Sequence, residues 1–255
     1  MNAINQTACA ALVAGILLMP ITACTAASPS NLTDSKALIK SCTGPTNRYI
    51  AIDGTASGNT VTLNGPRRRA IDGELAKVAA CGGRAKVVVF SSSSAATTTL
   101  FEGRIPLTGA TDQAKARRLD AAVKDVGDQI ETAFGTASSS LDAGGSDPVA
   151  QMRLFGEWTH QGGDGKFRLL MLTDGFQNIG VSTEQMVADP VAAAAVFPAP
   201  DLSGTDITIA GIGEVDGPAP ATTVVDALKT FFSTLCQRSG ATTCTVVTET
   251  AKATS

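Results

Sequence analysis

Three short polar clusters hold the side chains with which this chain could do chemistry. Asp53, Thr55 and Ser57 stand at alternate positions directly after the apolar run Tyr49 to Ile52. Ser146-Asp147 lies in Gly144-Gly-Ser-Asp-Pro148, and Thr173-Asp174 closes the run Phe167 to Leu172. Oxygen groups crowded at the end of a buried strand are poor core formers, and a hard divalent cation is one reason to gather them. Mg²⁺ takes six oxygen ligands and usually keeps several waters, so Asp53 and Asp174 with neighbouring hydroxyls suffice and leave an electrophilic position open. Ca²⁺ calls for more carboxylates, so Mg²⁺ or Mn²⁺ is preferred over it. Taken alone, the first cluster reads equally well as a Ser/Thr turn in which Asp53 caps the next helix. Asp147, just before Pro148, is expected to cap a helix or support the site, not to ligate.

Catalytic constellations are sparse. His160 is the single histidine and Trp158 the single tryptophan, both expected toward the far end of a helix from the clusters. Neither a Gly-x-Ser-x-Gly elbow nor a phosphate-loop lysine motif occurs. A metal-dependent hydrolase or phosphatase with Asp53 as nucleophile would want a second acid two residues on, where Thr55 stands. The expectation is therefore a binding protein, not an enzyme.

The clusters are far apart in sequence, so a scaffold must bring them together. Apolar runs alternate with helical periodicity from residue 48 onward. Strands are predicted over Tyr49 to Ile52, Lys86 to Phe90, Phe167 to Leu172, Ile207 to Ile212 and Cys244 to Thr248, with a more polar edge strand over Thr97 to Pro106. A helix is predicted from Pro66, with Ile71, Leu75, Val78 and Ala79 on one face before Gly82-Gly83. Leu119, Ala122, Val123, Val126, Ile130 and Phe134 mark a second helix, which the Gly/Ser-rich stretch from Gly135 to Gly145 is expected to break. Further helices are predicted over Pro148 to His160 and Thr222 to Gln237, and a weak one over Val181 to Val196. This order implies an α/β fold: a doubly wound, mainly parallel central sheet with one antiparallel edge strand and helices on both faces. Ligands in such sheets sit at the carboxyl ends of strands, where all three clusters fall.

The chain resembles the von Willebrand factor A domain, whose metal ion-dependent adhesion site uses Asp-x-Ser-x-Ser after the first strand, a Thr in a mid-chain loop and the Asp of a later Thr-Asp-Gly. By this resemblance Asp53, Thr55 and Ser57 take the first motif, Ser146 the Thr position and Asp174 the last. Val87-Val-Val-Phe-Ser91, Pro106-Leu-Thr108 and Ile207-Thr-Ile-Ala-Gly-Ile-Gly213 are similar to further family segments. Thr55 stands for Ser and Ser146 for Thr, each keeping a hydroxyl. The resemblance implies a binding module that engages an acidic side chain of a protein ligand through Mg²⁺, Mn²⁺ or Ca²⁺. A structural envelope or assembly factor that uses the loops without metal is the other reading.

Residues 1–23 carry no charge, Ala10 to Met19 are apolar but too short for a stable span, and Ile21-Thr-Ala-Cys24 resembles the lipobox of bacterial lipoproteins. That resemblance implies a signal peptide over 1–23, a lipidated Cys24 that anchors the chain to the extracytoplasmic face of a bacterial membrane, a Ser/Thr/Pro-rich tether over 24–46 and a domain over 47–250. Export makes Cys42, Cys81, Cys236 and Cys244 an even set in an oxidising compartment. Of their three pairings, Cys42 with Cys81 and Cys236 with Cys244 are favoured, since each pair falls at neighbouring element ends. The net charge of −3 comes with scattered cations, which argues against a nucleic-acid partner. The triplet Arg67 to Arg69 is read as a solvated helix face.

Overall fold

Strand β1 (Thr46–Asp53) is buried along its whole length, as an apolar run flanked on both faces must be. The computed structural model describes residues 32–55, 63, 65–93, 96–141 and 145–253; Cys24, the signal segment and Ser57 lie outside the described residues. From β1 the chain runs through α2 (Gly65–Cys81), β2 (Ala85–Phe90), β3 (Thr97–Gly103), α3 (Asp112–Ser138) and α4 (Pro148–His160). It continues through β4 (Lys166–Leu172), α5 (Thr183–Ala188), α6 (Pro190–Ala195), β5 (Asp206–Ala210), α7 (Thr222–Arg238) and β6 (Thr243–Val247). Sheet order is β3-β2-β1-β4-β5-β6, with β3 antiparallel to β2 and the other pairs parallel. This is the α/β architecture expected from the sequence.

Alternating side chains divide the core in two. Tyr49 and Ala51 face α4 to α7 with Met152, Phe155, Trp158, Phe231 and Phe232, whereas Ile50 and Ile52 face α2 and α3 with Ile71, Leu75, Leu119 and Phe134. Fully burying one such side chain contributes about 1.5–3 kcal/mol.

Three expectations about helices change. The tether contains a helix, α1 (Leu32–Ser41), which packs on α2 and α3 with Leu38 against the core. Helix α3 does not break at Gly135 but runs to Ser138, since Ala137 is still buried and the hydroxyls of Ser139 and Ser140 donate to Thr136 O and Ala137 O. The weak helix over 181–196 is two helices: Asp189, restricted by Pro190 to φ −151° and ψ 88°, ends α5 and caps α6 by accepting from Ala192 N. Both favoured disulfides form, Cys42–Cys81 and Cys236–Cys244. The first ties α1 to the end of α2, and the second ties α7 to the edge strand β6.

Arg68 departs from the solvated face read for its triplet. Its guanidinium bonds Asp72 at 2.8 Å, Asp128 at 3.1 Å and Glu131 at 2.7 Å, so it joins α2 to α3. It crosses α3 at Gly127, where a Cβ would come within 2.7 Å of the guanidinium carbon.

Candidate metal centre

In this sheet the chain leaves β1 for β2 on one side and reaches β4 on the other. The crevice beyond the carboxyl ends of β1 and β4 is therefore the topological switch point, where such sheets hold ligands. Asp53 ends β1 and Thr173-Asp174 follow β4, so two of the three clusters meet there. The third arrives on the loop between α3 and α4.

Asp53 is fully buried and gathers the rim around itself. Its Oδ1 accepts from Thr55 N at 3.0 Å and Thr55 Oγ1 at 2.7 Å; its Oδ2 accepts from Ser146 Oγ at 2.8 Å and Thr173 Oγ1 at 2.7 Å. Hydroxyl and amide donors to a carboxylate make charge-assisted bonds, roughly twice as strong as neutral ones. Asp174, also fully buried, accepts from Phe176 N at 3.0 Å, and its carbonyl accepts from Gly213 N at 2.8 Å. Asp53, Thr55 and Ser146 are thus in direct contact, and Asp174 joins them through its chain neighbour Thr173. Ser57 lies outside the described residues.

The end of β2 supports both loops. Phe90 O accepts from Gly54 N and Ser91 O from Asp147 N, each at 2.9 Å. Asp147 caps α4 by accepting from Ala150 N at 3.0 Å, with Pro148 in the first turn, as expected from its place in the sequence. His160 ends α4, about 20 Å along the helix from that cap at 1.5 Å per residue. Its Nδ1 lies 2.7 Å from Gly156 O. Trp158 is buried and donates to Glu102 at 3.0 Å, on the core side of the sheet and not at the rim.

Thr173, expected at the rim with Asp174 but not among the metal ligands, supplies one of the four donors to Asp53. Sequence reasoning missed Gln177 and Asn178 altogether. Gln177, fully buried, accepts from Val149 N at 3.2 Å and donates to Asp147 Oδ1 at 3.0 Å and Ile179 O at 2.6 Å. Asn178 accepts from Ser146 N at 2.6 Å. The available signal was the polar continuation Thr173-Asp-Gly-Phe-Gln-Asn178 beyond the strand.

The donor set is of the hard-oxygen kind that a small divalent cation takes: two buried aspartate side chains, with hydroxyls as the remaining oxygens. Among the described residues no three His, Cys, Asp or Glu side chains are grouped to hold a metal, so a site here depends on hydroxyl oxygens.

No family model matches the chain, and no curated protein matches it. Solved structures that it is similar to include an aerotolerance-related membrane protein from Bacteroides fragilis carrying multiple mutations to serines (14% identity, 82% of this chain and 94% of that one, TM-score 0.40). The conserved hypothetical protein BatB from Bacteroides thetaiotaomicron is another (13% identity, 80% and 91%, TM-score 0.40). A mutant of the PilB minor pilin from Streptococcus sanguinis is a third (11% identity, 84% of this chain and 60% of that one, TM-score 0.43).

Proposed function

We propose that this protein is an extracytoplasmic, membrane-anchored binding module that engages an acidic side chain of a protein ligand through a divalent cation, Mg²⁺ or else Mn²⁺ or Ca²⁺. Asp53, Thr55, Ser57, Ser146 and Asp174 would hold the cation, and Cys24 would carry the lipid anchor. The observation that carries the reading is the convergence of hydroxyls from three separate segments on one fully buried carboxylate. When bound, the cation supplies an electrophilic position for the ligand's carboxylate. The chain's own residues do the rest: Asp53 orients the hydroxyls, Thr173 aligns the β4 loop with β1, and Asp147 fixes the start of α4. No described helix is long and apolar enough to cross a membrane.

One feature of the same geometry favours a second reading. The four donors satisfy Asp53 by themselves, so the cluster could serve as a structural pin in an envelope assembly factor that binds through its loops. Calorimetric titration with Mg²⁺ and Mn²⁺ separates the two, followed by capture of envelope proteins with and without chelator. Metal binding, with capture lost in chelator and in Asp174→Ala, supports the module. Absence of binding, or capture indifferent to chelator, refutes it.

A further inference from the structure

We infer that the Gln177–Asn178 segment determines which cation the rim prefers, by holding the Ser146 hydroxyl at a fixed distance from Asp53; this deepens the metal reading above and rests on it. Ser146 sits on a connection between helices, where the local chain gives its hydroxyl no fixed position of its own. The β4 loop supplies one. Asn178 grips the Ser146 backbone at both polar atoms, its Oδ1 accepting from Ser146 N at 2.6 Å and its N donating to Ser146 O at 3.2 Å. Gln177 extends the grip to the next residues, bonding the Asp147 carboxylate and Val149 N while donating also to Ile179 O. Space is closed as well. A Cβ on Gly145 would lie 2.8 Å from Ser92 Cβ and 3.3 Å from Asn178 Oδ1, so the backbone before Ser146 is wedged between the β2 loop and the β4 loop.

A hydroxyl held in this way discriminates by size. Mg²⁺ requires oxygens at about 2.0–2.1 Å in a near-ideal octahedron, whereas Ca²⁺ takes six to eight oxygens at about 2.3–2.6 Å in flexible arrangements. Accepting Ca²⁺ would require the Ser146 loop to retreat by a few tenths of an ångström and to admit further oxygens, against the bonds from residues 177 and 178. Charge does not separate the two ions, which are both divalent. The clamp does, so Gln177 and Asn178 are positioning residues for specificity.

The test compares the wild-type chain with Asn178→Ala and Gln177→Leu, titrating MgCl₂ and CaCl₂ separately by calorimetry and recording thermal melting for each variant. The wild type is expected to bind Mg²⁺ more tightly than Ca²⁺. Asn178→Ala should lower Mg²⁺ affinity about 10- to 100-fold, the usual cost of removing a residue that orients a ligand, and lower Ca²⁺ affinity by a smaller factor. A drop in melting temperature with an unchanged Mg²⁺-to-Ca²⁺ ratio overturns the inference and leaves the metal reading standing. A wild type that prefers Ca²⁺ does the same, and one that binds neither ion overturns both. Asn178 is exposed, so its variant carries the test if loss of the buried Gln177 amide prevents folding.

Discussion

Gly54, between Asp53 and Thr55, offers the sharpest test of how packing places the rim. Its φ is not in the left-handed region, so the reason for glycine is space. A Cβ there would lie 2.7 Å from Val89 Cγ2, 2.8 Å from Leu141 Cδ1 and 3.4 Å from Phe90 O. Carbon atoms settle at about 3.5–4.0 Å, so Gly54→Ala creates an overlap of roughly 0.7–1.3 Å on two sides. Val89 is fully buried and paired within the sheet, and cannot retreat. Leu141 and the Asp53–Thr55 backbone must give instead. Overpacking of this kind costs about 1–3 kcal/mol, offset by about 0.4–1 kcal/mol from the less flexible unfolded chain, for a net loss of roughly 1–2 kcal/mol. Urea unfolding should show a lower midpoint at unchanged slope. In the metal reading, Mg²⁺ affinity should fall too, because the displaced backbone carries Thr55 away from its 2.7 Å bond to Asp53. A variant with native midpoint and native Mg²⁺ affinity would refute the packing argument.

Other outcomes follow from the same geometry. Gly127→Ala should gain about 1 kcal/mol of helix propensity in an Arg68→Ala/Asp72→Ala background, and less in the native background, where the new methyl displaces the guanidinium and the Asp72 carboxylate; equal gains in the two denaturation series would contradict this. Glu74→Leu should cost about 3–5 kcal/mol at neutral pH, because it leaves the buried Arg48 without its carboxylate and takes a partner from the half-buried Arg168. Burial pushes the Glu74 carboxyl upward, but Lys77, Arg48 and Arg168 outweigh it and hold its pKa below the ordinary 4.5. The native advantage over Glu74→Leu should then be full above pH 4.5 and shrink as pH falls through the depressed folded value; an advantage that shrinks toward alkaline pH would sink the assignment. Replacing Cys42 and Cys81 together by serine should cost about 4 kcal/mol on the chain-entropy account for a closure of 39 residues, with faster amide exchange in α1.

What could be read from the sequence was whatever leaves a local trace. Continuous apolar runs marked the buried strands, the 3.6-residue spacing in α3 marked its core face, and Asp147-Pro148 marked the start of α4 within a residue. Cysteines at element ends marked both disulfides. Polar groups whose partners are distant left no such trace. Glu74 looks like an ordinary helix acid in sequence, yet it is fully buried because Arg48 on β1 and Arg168 on β4 pair in register beneath it. Arg68 looked solvated because its partners Asp128 and Glu131 lie on another helix. Gln177 and Asn178 act mostly on backbone atoms of a distant loop, so the polar run that contains them does not show what they bind. Helix α1 has a single buried residue, Ser35, and so shows little apolar periodicity of its own; its disulfide and its packing on α3 hold it in place.

The two polar centres missed or only half seen from sequence act on the same strand. Toward the amino end of β1, Arg48 binds Glu74, and Arg168 beside it donates to Thr208 at 2.7 Å and Ala253 O at 3.2 Å, so β1, β4 and β5 are tied to α2 and to the segment after β6. At the carboxyl end, Asp53 draws in the loops after β1 and β4 and the loop before α4. Between them Tyr49 to Ile52 are apolar and nearly or fully buried on alternate faces, which prevents the strand from slipping by one residue without exposing Asp53 to the wrong side. A strand fixed at both ends and locked in register gives the Asp53 carboxylate a position set by the sheet, and the loops then need only bring hydroxyls to it. Substitutions at the distant Arg48–Glu74 pair should therefore disturb the rim as well as stability, which Mg²⁺ titration of Glu74→Gln would reveal as weakened binding by a chain that still folds; undiminished affinity would show that the two ends of β1 act independently.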